Sequence, residues 1–456
     1  MRYRRLPALA AAGPGTWKAR RRTRPPGLRR WIAGAAGALA LTLAACAPGG
    51  GAAGPGDADD GGKVTLSLWS WRVEDVKAYE KILAAFERSH PRIDVEFKAF
   101  QATEYNNILA TGLSGSDGPD VAQLRAYGGL QPLVEAGQLV PLDGKVEALS
   151  GFDPKLLEGA KGHKDGKIYG VPFAYQTLQV LYNKKLFADH GIRPPATWDE
   201  MIAAAGKLKA AGITPFAVAA GPDATWTLPI VHEIFGNARY GGAKFRDAVL
   251  SGGKKFTDPD FTASIKLIKD LEPYFPKNVV AVKIPDVQAL FATGKAAMYP
   301  TGSFDLAPVL QANPSLEVGA FPVPPPPGSP VTTPVTPGWA DGSFGVNAKS
   351  RHQAEALELV EWMATPEFGR LYATELKQLS AVPGVTPPDP LLAEMAANYA
   401  AHGAPYMLLV DFRYGQPNGD AIFRDEVQKM LAGQTDPAAV AESLQKGVEQ
   451  WFTAGN

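Results

Sequence analysis

The chain has 456 residues, 45% hydrophobic and 20% charged, enough at about 100–200 residues per domain for two or three domains with buried cores. Its zero formal charge hides an asymmetry: residues 1–45 hold ten of the 46 basic residues and no acid, so 36 bases face 46 acids in 46–456, a net of −10. A body that acidic lacks the basic face nucleic-acid phosphates demand, and the single cysteine, Cys46, excludes intrachain disulfides and cysteine-ligated zinc or iron–sulfur clusters.

Residues 31–45 form an uncharged, mostly apolar run directly after Arg29-Arg30. Fifteen residues fall short of the roughly 20 needed to span a bilayer and suit the apolar core of an export signal. Leu43-Ala44-Ala45-Cys46 follows, with the only cysteine of the chain. It resembles the bacterial lipoprotein lipobox, in which small residues admit the signal peptidase and the cysteine thiol carries the lipid. Residues 1–45 are therefore expected to be a lipoprotein signal peptide. The Gly-rich stretch to Gly62 cannot bury enough apolar surface to fold, and spans roughly 20 Å as a coil. Residues 46–62 read as a lipidated Cys46 and a tether between membrane and domain.

Alternation in Val64–Trp69 predicts a strand ending near Trp71. Val76, Tyr79, Leu83 and Phe86 then share one face of a helix over 74–89, stopped by His90-Pro91. Ile93–Phe97 alternates again, giving a β-α-β unit of a helix-covered parallel sheet. Gly118-Pro119-Asp120-Val121 turns into another short element, and Thr197-Trp198-Asp199-Glu200 is a capping box for a helix closed by Gly212. His232-Glu233 lacks the second histidine of a zinc-protease helix, since position 236 is Gly236. His232 is accordingly read as a satisfied or exposed residue, and no metal is expected. Eight prolines in Phe321–Pro337 exclude a central strand or helix and predict an irregular surface connection. Helices are expected over 353–364 and from a cap at Thr365-Pro366-Glu367.

This order of landmarks resembles family 1 of the extracellular solute-binding proteins of ABC importers, the maltose-binding type. The most specific block is Asp165-Gly166-Lys167-Ile168-Tyr169-Gly170-Val171-Pro172-Phe173, followed by Leu181–Phe187 and Pro194–Glu200. Phe291-Ala292-Thr293-Gly294-Lys295-Ala296-Ala297-Met298 and Gly302-Ser303-Phe304 match the later pattern. The resemblance implies an α/β fold of the two-lobe, periplasmic-binding-protein-like type II, with a hinge crossed about three times, near 175–180, 338–346 and 380–385. Lobe one would comprise 63–174 plus 347–380, and lobe two 180–337 plus 385–456. A solute would bind in the cleft, the lobes would close on it, and the closed monomer would dock on an ABC permease, anchored outside the cytoplasm by its lipid.

A sugar needs flat aromatics for its C–H faces and planar polar groups for its hydroxyls. Trp69 and Trp71 end the first strand, where the crevice of a parallel sheet lies; one is expected in the core and Trp71 in the cleft. Arg125 and Tyr127 match ligand-contacting positions of the family, with Arg125 either forking onto hydroxyls or forming a surface salt bridge. Gln176 stands where the maltose-type pattern has a carboxylate, which argues against maltose itself. Trp226 and Phe304 are stacking candidates in lobe two, with plain core as the alternative. Trp339 and Asp341 lie at the second crossing, and Arg413 and Tyr414 where the family supplies further contacts. Trp71, Trp226, Phe304 and Trp339 carry the stacking expectation.

The expected function is capture of a carbohydrate, an oligosaccharide, for delivery to a permease whose ATP hydrolysis occurs in a separate partner. No cofactor and no chemistry are expected of this chain. A secreted carbohydrate-active enzyme would need a pair of carboxylates about 5–9.5 Å apart across a cleft, and no catalytic motif supports one. A polyamine, phosphate ester or metal is the other alternative cargo. Asp341 is the only carboxylate among the candidates, so an uncharged polyol fits better.

Overall fold

Apolar alternation in Val64–Ser70 builds strand β1, with Leu66, Leu68 and Ser70 turned inward. The computed structural model describes residues 63–455; the expected signal peptide, Cys46 and the tether lie outside the described residues. After β1 comes the helix Val76–Ser89, which buries Tyr79, Ile82, Leu83 and Phe86 at the spacing of one helical face. It returns the chain to β2 (Ile93–Ala99), parallel to β1. β3 (Val121–Arg125) joins the other side of β1, also in parallel.

Two long strands then dominate. β4 (Val171–Asn183) and β8 (Thr336–Val346) run antiparallel, with Gln176 opposite Trp339 and Thr177 opposite Gly338. β8 also pairs with β3, whereas the second half of β4 pairs with β6 (Ala296–Gly302) and β7 (Val318–Phe321). β5 (Thr214–Phe216) flanks β6, and β9 (Gly403–Pro405) flanks the start of β8. One sheet of order β2-β1-β3-β8-β4-β6-β5 results, with β4 and β8 shared between its halves.

Each half has its own core. Leu68, Tyr79, Phe86, Phe173, Phe344, Phe368 and Tyr372 belong to the first. Leu178, Val180, Phe216, Phe235, Phe261, Phe423 and Leu444 belong to the second. A smaller cluster on the other face of β4 gathers Leu181, Phe291, Tyr299, Leu306, Leu392 and Met395. The period of two along β4 produces this division, sending Val180 to one face and Leu181 to the other. Between the helices Pro366–Glu375 and Pro390–His402 the chain touches both: Leu379 sits in the small cluster, and Ala381 and Val382 return to the first core.

Two local expectations are realised atom by atom. Thr197 accepts from the Glu200 amide at 3.2 Å, Glu200 accepts from the Thr197 amide at 3.2 Å, and the helix Trp198–Ala210 follows. Thr365 caps the helix Pro366–Glu375. The proline-rich stretch needs a correction at both ends: Phe321 closes β7, and Thr336 and Pro337 open β8, an interior strand. Pro337 is tolerated because β8 there faces only β9, its pairing with β4 being confined to residues from Gly338 onward.

Candidate functional site

Where β4 and β8 cross, side chains from four segments meet. Gln176 is fully buried. Its Nε2 donates to Asp341 Oδ2 at 3.0 Å and to Gln378 Oε1 at 3.2 Å, and its Oε1 accepts from Ser303 Oγ at 2.6 Å. Tyr372 donates to the same Gln378 oxygen at 3.0 Å, leaving Gln378 Nε2 buried without a partner. Asp341 is half-buried, with Oδ2 committed to Gln176.

An aromatic run begins beside this amide cluster. The rings of Trp226 and Phe304 are 6.0 Å apart, Phe304 and Trp339 6.3 Å, Trp339 and Tyr406 5.4 Å, the last two pairs edge to face. Trp226 and Phe304 are half-buried, Trp339 and Tyr406 buried. Phe304 owes its position to Gly302, where a Cβ would collide with the ring.

On the side of the first core, Trp71 is 5% exposed, wedged against Tyr105 and Phe173, with the Arg125 guanidinium carbon 4.0 Å from its ring centroid. Trp69, half-buried, lies against Phe100 instead. Of the two tryptophans Trp71 is thus the more deeply packed, because β1 ends between the ring of Tyr105 and the start of β4. Burial draws the Arg125 pKa down to about 10; Asp341 opposes the shift and Arg413 adds to it. No carboxylate lies within 4.0 Å of Arg125 among the described residues, so the salt-bridge alternative is not realised. Tyr127 is buried in the left-handed region (φ 55°), and its hydroxyl accepts from the Ala340 amide at 3.1 Å. Holding a tyrosine there costs about 1–3 kcal/mol, and it pins the loop after β3 to β8.

Arg413 donates to Asp420 at 2.9 Å, with Arg424 on the same carboxylate, and Tyr414 lies 4.6 Å from the His163 ring. The backbone of Arg413 packs so tightly on Gly128 that no Cβ fits at 128. Arg125, Asp341 and Arg413 therefore share one electrostatic neighbourhood, while Gln176, Trp226, Phe304 and Trp339 share one packed group. Ser303, Gln378 and Tyr406 complete it and were not legible beforehand. Ser303 lies inside a quoted motif, whereas Gln378 and Tyr406 carry no local signal.

Of the two alternatives for His232, exposure is excluded, and it is satisfied at one ring nitrogen. It is fully buried, and Nε2 bonds Ser264 Oγ at 2.8 Å. Ser264 donates onward to the Phe261 carbonyl at 2.6 Å. His232 Nε2 must then carry the proton, and Nδ1 is an acceptor with no partner. No group of three or more potential metal ligands occurs among the described residues.

Residues 70–369 match the family model of the bacterial extracellular solute-binding proteins. The chain belongs to this family. It is a family of receptors rather than of enzymes, placed outside the cytoplasm. The multiple sugar-binding protein of Streptococcus mutans is 28% identical over 327 residues, 68% of this chain and 73% of its own. The melibiose/raffinose/stachyose-binding protein of Bacillus subtilis is 25% identical over 272 residues, 58% of this chain and 62% of its own. Among solved structures, a solute-binding protein in complex with raffinose superposes with a TM-score of 0.71 at 25% identity, over 85% of this chain and 99% of that one. A chitin oligosaccharide binding protein does so with 0.71 at 26%, over 85% and 98%. The solute-binding protein described here accordingly has the two-lobe α/β fold of that family, with β4 and β8 as shared strands at its centre.

Proposed function

We propose that this solute-binding protein captures an oligosaccharide and delivers it to an ABC permease. The observation that carries this reading is the aromatic run Trp226–Phe304–Trp339 beside the Gln176–Asp341 amide–carboxylate pair. The half-buried rings of Trp226 and Phe304 offer apolar faces for sugar C–H groups and the half-buried Asp341 carboxylate an acceptor for sugar hydroxyls, while the buried Trp339 and Gln176 hold them in place. The sugar-binding names of the two relatives and of both solved structures support it. In this reading lobe one (63–174 plus 347–380) and lobe two (180–337 plus 385–456) close about the shared strands. The protein acts as a monomer without a cofactor, catalyses nothing, binds no nucleic acid, and is held at the membrane by lipid on Cys46. Arg125, Tyr127, Arg413 and Tyr414 border the ligand, and Trp71 acts from beneath Arg125.

Thermal unfolding of the full chain against a panel of mono- and oligosaccharides tests the proposal. A ligand at 100 times its Kd adds about 2.7 kcal/mol, which raises the midpoint by a few degrees. The expected result is a rise with one sugar family and no hydrolysis product afterwards. No rise with any sugar overturns the sugar reading, and a hydrolysis product overturns the receptor reading.

A further inference from the structure

Five buried or half-buried arginines differ in what neutralises them. Arg72 is buried against Asp75, with Nε at 2.5 Å from Oδ2. Arg246 forks onto Asp411 with two bonds of 2.7 Å. Arg413 and Arg424 share Asp420. Arg125 alone of these five has no carboxylate within 4.0 Å among the described residues.

Arg125 is nevertheless held in place. Trp71 lies under the guanidinium at 4.0 Å, and Nη2 donates to the Ala102 carbonyl at 3.3 Å. Gly129 leaves room for the stem, since a Cβ there would stand 2.7 Å from Arg125 Cβ. A guanidinium has five N–H donors, and the single bond to Ala102 leaves four without a protein acceptor among the described residues. A half-buried cation ordered in this way, with no carboxylate within 4.0 Å among the described residues, keeps its fork open to a ligand. Asp341 supplies opposite charge only from beyond 4.0 Å, and Arg413 adds like charge against it.

We infer that the captured oligosaccharide carries a carboxylate, as a uronic acid unit does, and that Arg125 is the residue that pairs with it. The planar fork matches a carboxylate with two parallel bonds. The half-exposed faces of Trp226 and Phe304 receive a neutral neighbouring unit. This inference rests on the oligosaccharide reading and narrows it: the uncharged polyol favoured from the sequence gives way to a sugar with one anionic unit.

The test is calorimetric titration of the full chain with a hexuronate-terminated oligosaccharide, its methyl ester, a neutral oligosaccharide of the same length and a sulfated one. The ester keeps the shape and removes the charge. The acid is expected to bind about 10- to 100-fold more tightly than the ester, the range for a charge-assisted hydrogen bond. Added salt should shrink this preference. In Arg125→Gln the preference should collapse, and in Arg125→Lys it should survive in part, the charge being kept and the fork lost; unfolding midpoints of the free variants establish that they fold. If Arg125→Gln does not fold, the acid–ester ratio and its salt dependence in the unaltered chain decide alone. Equal affinity for acid and ester, a preference that persists in folded Arg125→Gln, or tighter binding of the sulfated sugar each overturns the inference while leaving an oligosaccharide receptor standing. Failure of all four sugars to bind overturns the oligosaccharide reading itself.

Discussion

Trp226 and Trp339 belong to one aromatic run yet carry different burdens. Trp339 is 7% exposed and packs edge to face on both Phe304 and Tyr406. Trp339→Ala should therefore destabilise the free protein by about 3–5 kcal/mol, as removal of a buried aromatic does, readable in urea unfolding. Trp226 is half-buried and, among the described residues, its one aromatic neighbour is Phe304. Trp226→Ala should leave the unfolding curve nearly in place and weaken oligosaccharide binding about 3- to 10-fold, the range for one lost stacking contact. Unchanged affinity in that variant would remove Trp226 from the site. His232 and Glu233 offer a second residue-scale test. Burial raises the Glu233 pKa to about 8, against hydrogen bonds from Asn237 and Tyr240 that favour the charge. Burial lowers the His232 pKa to about 3. Glu233 is thus protonated in the folded state and ionised in the unfolded chain from its ordinary pKa of 4.5 up to about 8, so its contribution is full below 4.5 and is lost as pH rises through 8. The contribution of His232 is full above 6.5 and is lost as pH falls through 3. Above pH 6.5 His232 adds no slope, and Glu233→Gln should keep between pH 6.5 and 8 the part of the stability that the unaltered protein loses through Glu233. Parallel stability–pH curves for the two proteins would refute this.

At the scale of the element, the helix Trp198–Ala210 begins on a reciprocal pair of bonds between Thr197 and Glu200, and Glu200 also accepts from the Ala196 amide at 2.8 Å. Thr197→Ala should cost about 1 kcal/mol of stability, the usual worth of an N-cap. The helix contributes no side chain to the site, so ligand affinity should not change. An unfolding midpoint that stays where it was would show that the cap is redundant there. Strand β4 shows how an element serves two structures at once. Its first half faces β8 and the first core through Phe173, and its second half feeds Leu178, Val180 and Leu181 to the other two clusters. The register shifts between Pro172 and Tyr175 lie just before Gln176 and set which way that amide turns.

For the molecule as a whole, the connections between the two cores meet in one hydrogen-bonded cluster. Gln176 on β4, Asp341 on β8, Gln378 between the later helices and Ser303 after β6 are joined through the two ends of a single amide. In the proposed closure, the change in angle between the halves reorganises this cluster. Saturation with the cognate oligosaccharide should reduce the radius of gyration measured by X-ray scattering in the unaltered protein. Gln176→Leu, similar in size but unable to bond any of the three partners, should diminish that reduction. A radius of gyration indifferent to ligand in the unaltered protein would exclude closure about this hinge.

What could be read in the chain was whatever depends on neighbours a few positions away. β1, β2 and the helix between them announce themselves by periods of two and 3.6, and Thr197-Glu200 by the reach of two side chains across one helical turn. The quoted motifs led to the family because they record many such local constraints in a fixed order. Trp226, Phe304 and Trp339 were nameable as large rings at loop and strand ends, and the fold brings them together. Pairings across long separations left no such mark. Gln176 and Gln378 meet across 202 positions, and Tyr372 completes the contact from the first core. Whether Trp69 or Trp71 lies deeper depends on Tyr105 and Phe173, and whether Arg125 finds a carboxylate depends on where every acid in the chain comes to rest. Pro337 opens an interior strand because β8 has a single neighbour at that point, a property of the sheet and not of proline. Local geometry is written in the order of residues; burial and charge pairing are set only when distant segments share the same space.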